Sequence, residues 1–367
     1  MSSAAWPSPT RLLIGVLSFD SPGSLWKRQR MRPLCNATGG AAVLKFVLAT
    51  GTEPADAAQG DIVQFDVANN NRVLGTYLLT NRWFKWALAQ PGFTHIARAD
   101  DDAVFDAGAV AHELGKLRGP VVFGPLGEWY MWDRASWSPS CFAYGSGRAE
   151  ASVRFANTTL AANASAVLPR SVVECIGERR SGPFPYAKGP LVAYSRDVAA
   201  AIVPKLDAEE AEATRVHSTT DWHVDRYAVL KPPRHERHPK RYIMYDDVYY
   251  SALVYEELCG KPLTLLRMPM SEYVVEREPM RLQTALLFHK LKHPARFAWV
   301  ANNSATLLAH DAWRSRGQRC DPPGAVFARR QQPDRCFARW VTCEYKGWHH
   351  WQDIPPRRKR KPAKGRV

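Results

Sequence analysis

The sequence predicts an α/β domain with a mostly parallel central sheet flanked by helices, and three observations carry that expectation. Short apolar, β-branched runs alternate with longer stretches of helical spacing. The acidic residues that punctuate this pattern fall where strands end and loops begin, which is where ligands gather in such sheets. Apolar residues make up 46% of the 367-residue chain and aromatics 11%, enough to bury a substantial core and to exclude a disordered protein.

Residues 1–10 read as an N-terminal extension. "RLLIGVLSF" is a first core strand, short and β-branched, without the small-residue cleavage site of a signal peptide. The basic segment "SLWKRQRMRPLC" follows, then two strands, "AVLKFVLATG" and "DIVQFDV". "RVLGTYLLTNRWFKWALAQ" sets Val73, Leu74, Tyr77, Leu78, Phe84 and Leu88 at helical spacing and closes at Pro91-Gly92. "THIARA" is a further strand leading into Asp100-Asp101-Asp102. Beyond "GPVVFGPL", residues 129–183 read as a loop-rich insertion. Order returns with "GPFPYAKGPLVAYSRDVAAAIV", a turn, a strand and a helix opened by the cap-like cluster Ser195 to Asp197. The His-rich loop "KPPRHERHPKR" leads to "YIMYDDVYYSALVYEEL", an acidic pair entering a helix. "TLLRMPM" and the apolar helical pattern of "LQTALLFHKLKHP" complete a main domain over 11–310, before a Cys-containing segment, 311–350, and a basic disordered tail, 351–367. There are no internal repeats.

The formal charge is +15, but the tail "PPRRKRKPAKGRV" holds many of the basic residues, so the body is only moderately basic. That suits an anionic ligand such as a nucleotide. A nucleic-acid partner is not expected, because the basic residues are scattered through a patterned core and no recognition motif occurs. Cys35, Cys141, Cys175, Cys259, Cys320, Cys336 and Cys343 lack the paired spacing of a zinc site, which favours disulfides, with a staple among the last three and the connectivity open. Sequons at Asn36, Asn157, Asn163 and Asn302 add to the cysteines and point to a secretory-pathway lumen. A membrane span takes about 20 apolar residues, and no such run occurs, so membrane association would use a segment not visible in this sequence.

Three adjacent aspartates repel one another unless a counter-charge stands among them. On an extended segment Asp100 and Asp102 face one side and Asp101 the other. Two oxygens on one face suit Mn²⁺ or Mg²⁺ held jointly with a phosphate. The competing reading is a solvated acidic turn with an Asp capping the helix "AGAVAHELGKL". Asp246-Asp247 is likewise open to two readings. It is either an N-cap pair or a carboxylate walled by Tyr245, Val248 and Tyr249, the environment of a general base.

These residues carry a resemblance. "ARADDDAVFD" resembles the Asp-x-Asp signature of family 31 glycosyltransferases, the β-1,3-galactosyl and N-acetylglucosaminyl transferases that include the fringe enzymes. "SLWKRQRMRPLC" is similar to the family's early Arg-rich helix, with Pro33-Leu34 in place of its Thr-Trp. "GPFPYAKGPLVAYSRDVA" resembles its Tyr-Pro-x-Tyr-x-x-Gly-x-x-Tyr-x-x-Ser block, and "YDDVYYS" its Glu-Asp-Val-x-x-Gly motif, with Asp246 for Glu and Ser251 where Gly is usual. The four blocks stand in the family's order, over about residues 11 to 290.

The resemblance implies a GT-A fold and inverting, Mn²⁺-dependent transfer of a hexose from a UDP-sugar to a glycan, glycoprotein or glycolipid hydroxyl in the Golgi lumen. Galactose and a β-1,3 linkage are favoured. Asp102 would be the principal metal ligand, with Asp100 at the ribose or the metal and Asp101 in support. Asp247 would be the base, with Asp246 as fallback. His289 is the candidate late metal ligand, against a packed core role, and His293 a weaker one. Arg28, Arg30, Arg32 and Arg82 are candidates for pyrophosphate contact, and Asp66 or Asp61 for the uracil pocket. Tyr186 and Gly189 would shape the acceptor-side turn. Trp129, Tyr130, Trp132 and Trp137 would either stack on sugars or pack in the core. The alternatives are a non-catalytic carbohydrate- or polyanion-binding protein on the same scaffold, an N-acetylglucosaminyl transferase, and a two-metal phosphoesterase, which would need more His/Asp ligands than the sequence offers.

Overall fold

The computed structural model describes residues 10–36, 40–50, 54–67, 72–133, 138–140, 180–218, 246–272, 286–304, 308, 317–323, 336 and 338–345. In chain order the elements are β1 (Leu12–Leu17), α1 (Pro22–Asn36), β2 (Ala42–Ala49), β3 (Ile62–Phe65), α2 (Arg72–Ala89), β4 (His95–Asp100), β5 (Val104–Phe105) and α3 (Ala107–Gly115). Then come β6 (Val121–Gly124), β7 (Leu126–Asp133), β8 (Ser138–Ser140), β9 (Arg180–Ala187), β10 (Leu191–Ser195), α4 (Arg196–Ile202) and α5 (Leu206–Ser218). The last are α6 (Asp246–Glu257), β11 (Leu263–Arg267), β12 (Met270–Glu272), β13 (Leu287–His289), α7 (Pro294–Asn302), β14 (Gln318–Cys320) and β15 (Trp340–Tyr345).

A nine-stranded sheet, ordered β14-β15-β11-β6-β10-β4-β1-β2-β3, forms the centre of an α/β domain. It is mostly parallel, as expected. Only β10, between β4 and β6, and β14, at one edge, run against their neighbours. Side-chain alternation along β1 splits the core into two layers. Leu13 and Leu17 join Trp83 and Phe84 of α2, Val198 of α4 and Leu253 of α6 on one face. Leu12, Ile14 and Val16 join Val110 and Leu114 of α3 and Phe297 and Val300 of α7 on the other. Two three-stranded sheets, β12-β13-β5 and β8-β7-β9, flank the main one.

At Gly15, in the middle of β1, the indole of Trp83 lies on the bare backbone. A Cβ there would stand 2.3 Å from Trp83 Cε2 and 2.4 Å from Cδ2. The ring cannot yield, because it is fully buried and its Nε1 donates to the Ala97 carbonyl of β4 at 2.9 Å. Gly15→Ala is therefore expected to lower stability by about 1–3 kcal/mol, the range for overpacking a tight core, read as an earlier midpoint in urea with unchanged slope.

The sequence pattern is corrected at one functional place. "LQTALLFHKLKHP" is not one helix: Leu287–His289 forms β13, paired parallel with β12 and antiparallel with β5, and α7 starts only at Pro294. An apolar run this short fits either period, and two flanking strands with open edges decide it. The segment expected to be loop-rich is entered through β7 and β8 and left through β9, with 141–179 outside the described residues. So are residues 1–9 and the basic tail. Among the described residues, disulfides join Cys259 to Cys336 and Cys320 to Cys343, which supplies the pairing of these four cysteines. No helix of the described residues is long and apolar enough to cross a membrane.

Candidate functional site

Strand β4 delivers the acidic triplet at its C-terminal end, and the three carboxylates separate there. Asp100 and Asp102 converge on His289. The imidazole Nε2 lies 3.4 Å from Asp102 Oδ1 and 3.8 Å from Asp100 Oδ2. One ligand atom from each of the three residues falls within 4.8 Å of the others, the only such group among the described residues. Asp101 turns the other way, accepting from Ser24 Oγ at 2.8 Å and Lys27 Nζ at 2.9 Å, so it fastens α1 to the strand end. The triplet is not a helix cap. That role belongs to Asp106, whose side chain accepts from Ala109 N at the start of α3.

The backbone after β13 holds His289 in place. Lys290 sits at φ 64°, left-handed space that a non-glycine residue enters at a cost of about 1–2 kcal/mol, and it does so beside a candidate ligand. The reversal lets Leu291 N donate to the Asp102 carbonyl at 3.0 Å, tying β13 to the end of β4. Burial alone would raise the Asp102 carboxyl above the usual carboxylate range. Its hydrogen bond to His289, with the charges of His289, Lys292 and Lys27, outweighs burial and holds it below.

The second acidic cluster opens α6. Asp247 accepts from Gly189 N at 3.1 Å through Oδ2 and from Val248 N at 2.9 Å through Oδ1. Gly189 belongs to the turn between β9 and β10. Because β10 runs antiparallel to β4, that turn arrives at the end of β4 that carries Asp100, where Asp100 N donates to the Pro190 carbonyl at 3.2 Å. The two clusters thus meet at one end of the sheet, and Asp247 stands outside the Asp100–Asp102–His289 group. Ser251, where the resembled family has glycine, is 7% exposed; its Oγ donates to the Asp247 carbonyl at 2.9 Å and accepts from Ala187 N at 3.2 Å.

Arg98 is a residue that the sequence reading passed over. It is 3% exposed, donates from Nη1 to Asp100 Oδ1 at 2.8 Å, and lies against the bare face of Gly189. Its spacing was a usable signal, since a cation two positions before an acid on a strand shares its face.

The arginines of α1 all have partners within the protein. Arg28 is fully buried, clasps Asp56 with Nε at 2.9 Å and Nη2 at 2.7 Å, and gives Nη1 to Ser18 Oγ and the Phe19 carbonyl. So enclosed, it is the counter-ion of Asp56. Arg32 is likewise drawn to Asp61 at 2.6 Å and Asp56 at 2.7 Å, which also ties Asp61 to the network. Arg30 donates to Asn302. Arg82 pairs with Glu210 at 2.6 Å, and Asp66 accepts from Thr50 Oγ1 at 3.4 Å. Tyr186 is buried, and Trp132 packs against Tyr249, 5.5 Å between centroids, which makes it a core residue and not an exposed stacking surface. His293 caps α7 through Nδ1. The side chains of Asp246, Trp129, Tyr130 and Trp137 lie outside the described residues.

The Arg28 hydrogen bonds, opposed by burial and reinforced by Arg32, pull the Asp56 carboxyl down to about 2. A depressed folded value means that the stabilisation is complete above the unfolded value of 3.8 and is lost as pH falls toward 2. The contribution is about 2 kcal/mol. Asp56→Asn is expected to be less stable at pH 7 and to lose this part of the acid dependence between pH 4 and 2, measured by urea unfolding across that range.

No protein-family model matches the chain, and no curated protein sequence matches it. Among solved structures it is similar to the galactosyltransferase LgtC in complex with donor and acceptor sugar analogs, at 10% identity and a TM-score of 0.39, over 83% of this chain and 99% of that one. An active-site mutant of LgtC matches at 10% identity and 0.37, over 82% and 99%. Mouse xyloside xylosyltransferase 1 in its apo form matches at 10% identity and 0.37, over 76% of this chain and 97% of that one.

Proposed function

We propose that this protein is an inverting, metal-dependent glycosyltransferase of GT-A type that moves a hexose from a UDP-sugar to a hydroxyl of a glycan acceptor. The observation that carries the reading is the Asp100–Asp102–His289 group at the end of β4, with Asp247 held separately at the same end of the sheet. Two carboxylate oxygens and an imidazole nitrogen within 4.8 Å form a donor set that fits Mn²⁺ better than Mg²⁺, which prefers oxygen alone. A divalent ion bound there would offset the negative charge that builds on a departing nucleoside diphosphate.

The chain's own residues have distinct tasks in this reading. Asp102 and Asp100 present oxygens on one side, and His289 completes the set. Asp247, its carboxylate oriented by two backbone N–H groups, takes the proton from the acceptor hydroxyl as that oxygen attacks the anomeric carbon. Inversion requires attack from the face opposite the leaving group, which fits a base that is not part of the cation-binding group. Galactose as donor sugar and a β-1,3 linkage follow from the resemblance of the four motif blocks. Two disulfides and an exposed Asn302 sequon support a secretory-pathway lumen as the site of action.

The test is a panel of UDP-sugars with and without Mn²⁺, scored for hydrolysis and for transfer to β-linked galactose, glucose and N-acetylhexosamine acceptors. Mn²⁺-dependent release of UDP from one donor is the expected result. A chain that binds carbohydrate but turns over no UDP-sugar would be a binding protein on this scaffold.

A further inference from the structure

We propose that Arg98 is a positioning residue that ties Asp100 to Asp247 through Gly189, so that the metal-binding group and the base are set by one guanidinium; this rests on the glycosyltransferase reading above. A guanidinium that is 3% exposed within a strand is retained at a cost of several kcal/mol unless it is well paired. Arg98 is paired toward the site. On one side Nη1 holds Asp100 Oδ1 at 2.8 Å, while Asp100 Oδ2 lies 3.8 Å from His289. The Asp100 side chain is 35% exposed, so the ion pair restrains a carboxylate that would otherwise turn toward solvent.

On the other side the guanidinium occupies the space where a Gly189 side chain would stand. A Cβ there would lie 2.3 Å from Arg98 Nη2, 2.9 Å from Cζ and 3.1 Å from Nη1. Gly189 is not among the glycines with positive φ, so what demands glycine is space and not backbone conformation. The same residue's N–H donates to Asp247 Oδ2 at 3.1 Å. A contiguous chain therefore runs Asp100, Arg98, Gly189, Asp247, with each link a hydrogen bond or a contact that admits no extra atom.

The sign of one measurement separates positioning from charge. By Coulomb repulsion alone, deleting a cation beside the metal-binding group would tighten Mn²⁺ binding. If Arg98 orients Asp100, deletion weakens it, as loss of an outer partner does by roughly 10–100-fold. The experiment titrates Mn²⁺ into the purified protein with UDP present and no sugar donor, reading free Mn²⁺ by its paramagnetic resonance signal, with melting curves to confirm folding. Arg98→Ala is expected to weaken Mn²⁺ binding about 10-fold. Gly189→Ala is expected to weaken it comparably, although Gly189 supplies no ligand.

The double variant Arg98→Ala/Gly189→Ala is expected to be no worse than Arg98→Ala alone, because the added methyl enters vacated space and the effects are not additive. Arg98→Lys, which keeps charge and most of the bulk but not the planar fork, covers a failure of Arg98→Ala to fold and is expected to weaken binding by a smaller factor. Unchanged or tighter Mn²⁺ binding in the Arg98 variants, or additive effects in the double variant, would overturn the proposal while leaving the glycosyltransferase reading intact. Absence of Mn²⁺ binding by the wild-type protein would overturn that reading and this proposal together.

Discussion

Asp247→Asn is expected to lower sugar transfer by roughly 10²–10⁴-fold, the contribution of a positioned general base, while Mn²⁺-dependent UDP binding stays within about threefold of wild type. The asymmetry comes from the geometry. Asp247 is not among the residues that converge on His289, so its loss leaves the donor side as it is. Two backbone N–H groups point at its carboxylate, and an amide offers only one acceptor oxygen. The variant therefore also loses one hydrogen bond, worth about 1 kcal/mol of stability. A melting curve accounts for that small cost, and a calorimetric UDP titration shows that the donor side survives. Transfer within tenfold of wild type would mean that Asp247 is not the base.

Asp102→Ala produces the opposite pattern. Asp102 is 9% exposed and its Oδ1 lies nearer to His289 than does the nearest Asp100 oxygen, so it is the central member of the group. Its removal is expected to weaken Mn²⁺-dependent UDP binding by more than the roughly 10–100-fold that follows loss of an outer partner, and transfer falls with it. UDP affinity that is the same with and without Mn²⁺ in wild type, and unchanged in Asp102→Ala, would refute a metal-assisted donor site.

The parts of the fold that were legible from sequence are those where one period has no competitor. β1 is a short apolar run bounded by polar residues, and α2 holds its helical spacing for 18 residues, too long to be a strand. The site was legible where its residues are adjacent in the chain. Asp100, Asp102 and Asp247 declare themselves as acidic clusters at element ends, and alternation assigned Asp101 to a different side. What could not be read was pairing across distance. The arginines of α1 look like an anion site until Asp56 and Asp61, far along the chain, turn out to face them. His289 is recognisable by type but its strand is not, because three strand residues between partners leave almost no periodic trace. Arg98 was hidden by its neighbours. A basic residue before three acids reads as local charge balance until its contact with Gly189 is seen.

The position of β15 has a consequence for biosynthesis. This strand comes late in the chain, yet it lies inside the sheet, between β14 and β11. Until it is made, β11 presents an unpaired edge, the kind of surface that invites aggregation. Each disulfide also waits on late residues: Cys259 needs Cys336, just ahead of β15, and Cys320 needs Cys343 within β15 itself. During synthesis Cys259 and Cys320 therefore emerge before either proper partner and, of these four cysteines, can pair only with each other. Correct oxidation depends on Cys336 and Cys343 arriving before that wrong bridge has set.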